Sequence, residues 1–193
     1  GLHVLSQNDV RAGGTFEDIV AHGGWSMDDH HPAGIYYPGK PTIHHPAPSP
    51  YGIPFRSLVS ANVSNLLFAG RNISATHAAL SSTRVMATCA TLGQAAGTAA
   101  ALACKHGCAP AALYPQRVDE LQQLLMEDDQ WLPGHTRALD PLTQRAQCEA
   151  GALLSGANRP ASEEEAFRCD TGSAITFSWE QPEQIGALRL TLD

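Results

Sequence analysis

Positive charge is scarce in this chain: 12 lysines and arginines stand against 19 acidic residues, for a formal net charge of -7. No basic stripe offsets that balance, which argues against a nucleic-acid backbone as partner. Long apolar runs are missing too. A membrane span needs roughly 18 uninterrupted apolar residues, and Arg84 and Gln94 bracket the most apolar stretch, so a buried helix is expected and no span in this segment. The five cysteines, Cys89, Cys104, Cys108, Cys148 and Cys169, are odd in number and scattered, which is no disulfide framework. Cys104 and Cys108 form a close pair, but a zinc site usually needs a second pair of similar spacing. With 43% apolar and 16% charged residues over 193 positions, the composition is that of an ordinary globular protein of one or two domains.

What is there begins with the stretch from Tyr51 to Ala103. Asn65 to Ala69 (NLLFA) is a short apolar run suited to a buried parallel strand. Gly70 ends it, where a glycine lets the backbone turn and a ligand approach closely, and Arg71 adds a fixed cation with several donors. A polar loop with Ser74, Thr76 and His77 follows. From about Val85 to Cys104 helix formers predominate, predicting a buried helix. Gly93, Gly97 and Ala101 share one face of it, where small side chains admit another backbone or a cofactor. The unpaired amides at such a helix start attract negative charge.

IPFRSL, NLLFAGRNISATHAALSSTRVM and GQAAGTAAALA together resemble the C-terminal part of the FAD-dependent oxidoreductase family, as does FEDIVAHGGWSMDDHHPAGI upstream (Phe16 to Ile35). The likeness covers roughly residues 1 to 132. It implies an α/β fold, the C-terminal portion of a two-dinucleotide-binding-domain flavoprotein with a parallel sheet wrapped by helices. It also implies FAD as cofactor, with Gly70, Arg71, Ser74, Arg84, Gly93, Gln94 and Gly97 as cofactor-binding residues. Two departures stand out. Many relatives carry an acidic residue after the strand glycine to hold the ribityl chain, and Arg71 occupies that place here. The GxGxxG turn that cradles the FAD pyrophosphate in the family is absent, and neither Gly13-Gly14 nor Gly23-Gly24 has its spacing. The expectation is a fragment lacking the N-terminal half of the same chain, in keeping with a start at Gly1 and an end at Asp193 directly after the alternating Leu188, Leu190 and Leu192.

Around this core the spacing of Phe16, Ile19 and Val20 suits one helical face. The seven prolines between residues 31 and 54 favour an extended loop, which Tyr36, Tyr37, His44, His45 and Tyr51 suggest is a packed cover. Val118, Leu121, Leu124 and Leu125 mark an amphipathic helix. Composition shifts beyond Pro133-Gly134 and places a boundary near Leu139, giving a flavoprotein part over 1–138 and a β-rich module over 139–193. ITFSWEQPEQIGALRLTLD is similar to part of a discoidin-like domain, which implies a partial β-sandwich; such modules often bind carbohydrate.

Nine histidines include the adjacent pairs His30-His31 and His44-His45. Neighbours in extended chain point to opposite faces, so a pair offers one metal ligand per side, and no metal site is expected. A general base is easier to supply, and His31 and His77 are the catalytic candidates. Asp28 and Asp29 are placed either to orient His30 or His31 or to cap the following turn. The reading is thus an FAD-dependent oxidoreductase that transfers hydride between its flavin and a small organic substrate, with a sugar or polyol suggested by the β module. The alternative is a non-catalytic carbohydrate-binding or structural protein on a degenerate flavoprotein fold.

Overall fold

The computed structural model, which describes residues 1–160 and 165–189, opens its regular structure with a capping box. The Ser6 hydroxyl accepts from the Asp9 amide while the Asp9 carboxylate accepts from the Ser6 amide, so two otherwise unpaired donors are satisfied at the start of α1 (Gln7–Arg11). The chain then forms β1 (Ile19–Gly23), where a helical face was expected. A short apolar run fits either period, and here tertiary pairing decides. β1 pairs antiparallel with β4 (Tyr51–Pro54), with Gly23 opposite Tyr51 and Ala21 opposite Ile53. Gly23 is required, because a Cβ there would collide with the Tyr51 ring.

Among the described residues β1 has no second strand beside it, yet carbonyls at its start are occupied. The Gln122 amide donates to Glu17 O at 2.9 Å and Ile19 O at 3.0 Å, the Gln130 amide donates to Val20 O, and His22 Nδ1 donates to Trp131 O at 3.0 Å. The two amides come from α4 (Val118–Glu127) and the segment after it, whose Trp131 carbonyl accepts from His22, so a helix and its tail close the open edge. Where β1 begins, Asp18 is fully buried. Arg56 grips it with Nε at 3.0 Å and Nη2 at 2.9 Å, the Arg56 amide adds a third bond, and the guanidinium lies 4.5 Å from the Tyr114 ring centre.

The helix expected near Val85 to Cys104 is α3 (Met86–Lys105). One side, including Leu92, Ala95, Ala99 and Leu102, is buried against β1 and α4. The other side, with Met86, Ala90, Gly93, Gly97 and Ala101, is exposed and carries no charged side chain before Lys105 in the last turn. α2 (His77–Thr83), capped by Thr76, precedes α3 at a bend of 95°. Among the described residues no single helix is long and apolar enough to cross a membrane.

Two expectations need correcting in this unit. Asn65 to Ala69 form no parallel strand: Leu67 makes a single antiparallel bridge to Val59, and Leu66 is 42% exposed. An apolar run becomes a buried strand only with neighbours on both sides, and among the described residues parallel pairing amounts to one bridge, Leu5 to Ala75. The proline segment is no packed cover either. Its first part, residues 31–41, is the connection of a hairpin between β2 (Met27–His30) and β3 (Thr42–His45), with Ile35 and Tyr36 almost fully exposed, and its end is β4, whose Tyr51 lies in the core.

The chain divides into two units, Gly1–Pro133 and Gly134–Asp193. The second begins with α5 (Pro141–Arg145), whose cap Asp140 accepts from the Leu142 and Thr143 amides. Its sheet among the described residues is a two-residue antiparallel pair, β5 (Gln147–Cys148) with β6 (Phe177–Ser178), rather than a sandwich. Between Ala174 and Trp179 only β6 is strand, and residues 186–189 are not strand. Leu190, Thr191 and Leu192 lie outside the described residues.

Replacing Arg56 with Met leaves the buried Asp18 carboxylate without its partner and should destabilise the chain by about 3 kcal/mol. Arg56→Lys keeps the charge but loses the forked geometry, and should fall between Met and wild type. Urea unfolding checks the order; equal midpoints for all three proteins would show that the pair does not hold β1.

Candidate functional site

Three buried or half-buried groups join the first strands to the helices. Ser82 Oγ donates to Trp25 O at 2.5 Å, which uses its only proton, so the Tyr51 hydroxyl, 2.6 Å away, is the donor to Ser82. Burial raises the Tyr51 pKa, the Ser82 contact opposing it, and the phenol stays neutral as this relay requires. The relay holds the Gly24-Trp25 turn against the end of α2, one turn before α3 starts.

The start of α3 has an open donor set. Its cap, Val85, makes no side-chain hydrogen bond to the helix, so the first amides of α3 lack a side-chain cap. The turn Gly70–Asn72 packs beside it: a Cβ on Gly70 would sit 3.9 Å from Cys89 Cβ, and Gly70 has a φ of +84°, which favours glycine. Arg71 is exposed on this turn, and half-buried Arg84 closes α2. Neither arginine is held in an ion pair among the described residues. Unpaired amides and two cations fit an anionic ligand edge.

The structure therefore gathers Gly70, Arg71 and Arg84 around one helix start. The other expected cofactor residues lie elsewhere or have other partners. Ser74 exchanges backbone bonds with Ser57 and Leu5 and touches Gly1. Gln94 donates to Asp128 O at 3.2 Å, tying α3 to the end of α4. Gly93 and Gly97 sit on the exposed face, where an added Cβ would meet nothing within 4 Å. Cys89 Sγ lies 3.7 Å from Thr83 O, and all five cysteines are free thiols.

Of the two expected catalytic histidines, His77 is exposed at the first residue of α2. His31 stacks on Tyr37 with ring centres 3.8 Å apart, and its Nδ1 accepts from the Ala33 amide. Asp28 does not orient His30 or His31. Hairpin register sets it opposite His44, whose Nδ1 lies 2.6 Å from Asp28 Oδ1, while Ser26 Oγ and Trp25 Nε1 donate to the same carboxylate at 2.6 and 2.8 Å. The pairing spans 16 residues and a proline segment, so only register, which the sequence leaves open, could have revealed it. Among the described residues no three or more His, Cys, Asp and Glu side chains form a metal-binding group.

A family model described as FAD dependent oxidoreductase matches residues 1–125. The chain therefore belongs to the FAD dependent oxidoreductase family, with FAD as its cofactor and flavin redox chemistry as its function. No curated protein and no solved structure matches it.

Burial acts to raise the Asp28 pKa, but the donors Ser26, Trp25 and His44 outweigh it and hold the carboxyl at about 2 instead of 3.8. The folded value lies below the unfolded one, so this stabilisation is complete above about pH 4 and is lost as pH falls toward 2. The Trp25 indole N–H resonance should accordingly hold steady from neutral pH to about 4 and move below it. A transition centred at or above the ordinary carboxyl range would show that the three donors do not hold the carboxylate.

Proposed function

We propose that this chain supplies the C-terminal part of the flavin site of an oxidoreductase that takes hydride from a small organic substrate, with a sugar or polyol as the substrate class. The carrying observation is the uncapped start of α3, flanked by Arg71 and Arg84 and by the turn at Gly70. In this reading the α3 amides and the two arginines bind the edge of the cofactor where negative charge gathers, and Gly70 keeps the approach open. FAD, when bound, supplies the hydride acceptor. A base on this chain takes the proton released by the substrate; His31 and His77 are the candidates that the sequence alone suggests. Ser74, Gln94, Gly93 and Gly97 contribute by shaping the surrounding backbone and faces.

The exposed, uncharged face of α3 is assigned to the missing N-terminal, GxGxxG-bearing half of the same chain. Small residues at Gly93, Gly97 and Ala101 let a second helix approach closely without displacing anything already packed. The unit from Gly134 onward is proposed as part of a discoidin-like accessory module, which motivates the carbohydrate assignment.

The test is the visible absorption spectrum of the full-length parent purified without added cofactor, beside this chain prepared identically. A yellow parent and a colourless chain are expected; a colourless parent that takes up no added FAD would overturn the proposal. Gly93→Leu gives a second check. It should cost this chain no stability, because the site is open, and should lower the FAD content of the parent several-fold. Unchanged FAD content would remove the α3 face from the interface.

A further inference from the structure

Asp28 and His44 form a pair that the anion-binding helix start does not use. They face each other across the β2–β3 hairpin, His44 Nδ1 lying 2.6 Å from Asp28 Oδ1. Asp28 cannot turn freely: one oxygen is shared by Ser26 and His44, and the other is held by the Trp25 indole. The two side chains differ sharply in exposure, 12% for Asp28 and 63% for His44. A carboxylate accepts hydrogen bonds and does not donate them, so neutral His44 carries its proton on Nδ1 and a lone pair on the other nitrogen.

The hairpin is fixed to the candidate site by two links. Trp25 binds Asp28 through its ring and Ser82 through its carbonyl, and Ser82 stands one turn before the start of α3. Other histidines have duties that hold backbone in place. His22 Nδ1 is committed to Trp131 O, His30 Nδ1 to Thr42 Oγ1 and His31 to the Ala33 amide and the Tyr37 ring. His44 combines a carboxylate on one ring nitrogen with an open side.

We propose that His44 is the proton acceptor for a substrate hydroxyl oxidised at the flavin, and that Asp28 is the positioning residue that fixes its tautomer. The assignment rests on the flavin reading above. In the step, the O–H bond breaks and its proton goes to His44 Nε2, the C–H bond gives hydride to FAD, and the alcohol becomes a carbonyl. Asp28 stays ionised and stabilises the imidazolium that forms.

The test uses the FAD-loaded parent, followed by anaerobic flavin bleaching with glucose, mannitol and glycerol as probe alcohols, together with nitrogen-15 NMR of this chain. With whichever probe reduces the wild type, His44→Ala should slow reduction by about 10²- to 10⁴-fold, with little change in the half-saturating alcohol concentration and partial rescue by added imidazole. Asp28→Asn should retain FAD, slow reduction, and lose the Nδ1-protonated tautomer that the wild type shows. A flavin-loaded His44→Ala protein that reduces at the wild-type rate, or loss confined to His31→Ala or His77→Ala, overturns this assignment alone. So does a wild-type His44 protonated on Nε2 in its neutral form. A parent that binds no FAD, or a bound flavin that none of the probes reduces, overturns alcohol oxidation and this assignment with it.

Discussion

The Asp18 carboxylate is fully buried where β1 begins, and Arg56 engages both of its oxygens through the side chain and one of them through the backbone. A buried anion is tolerated only when its partner is fixed, and here the fixing is reciprocal. The Phe55 amide donates to Asp18 O, the Arg56 carbonyl accepts from the His3 amide, and Tyr114 lies under the guanidinium. One ion pair thereby ties together the entry to β1, the turn after β4, the N-terminal segment and the approach to α4. The β1–β4 register follows, and with it the contact of Tyr51 with Ser82 that positions α2 and the start of α3.

Among the described residues the sheets have only two strands each. The outer edge of β1 is closed by side-chain amides rather than by another strand, so α4 does structural work that a sheet neighbour would otherwise do. α3 is then free to be apolar on both sides, one in the core and one uncovered. Its start has no side-chain cap, while the hairpin anchored by Trp25 carries the Asp28–His44 pair. The hairpin and the end of α2 are joined at Ser82, whose hydroxyl donates to Trp25 O.

Much of this was legible where local chemistry decides. The predominance of Ala, with Leu, Met and Thr, after Val85 favours a helix from local propensity, and α3 begins at Met86. Val118, Leu121 and Leu125 alternate as an amphipathic helix should, and all three are buried in α4. Ile19 to Ala21 were not legible, because three consecutive apolar residues obey either period until a partner strand is known. Asn65 to Ala69 read as a strand from composition, yet among the described residues the segment pairs only through the Leu67–Val59 bridge and never becomes a strand of a parallel sheet. In the site, the glycine turn and the helix start could be read from their residue types. The union of Asp28 with His44, and the use of Gln122 and Gln130 to close an edge, arise from register and long-range packing that no local pattern encodes.

The central claim is that the start of α3, with Arg71 and Arg84, binds the flavin where its reduced form holds negative charge. The most direct measurement is the midpoint potential of the flavin in the full-length parent and in its Arg84→Gln and Arg71→Gln variants. Removal of a cation beside the reduced flavin should make the potential more negative in at least one variant while FAD remains bound. A parent without flavin, or potentials that match wild type in both variants, would contradict the account.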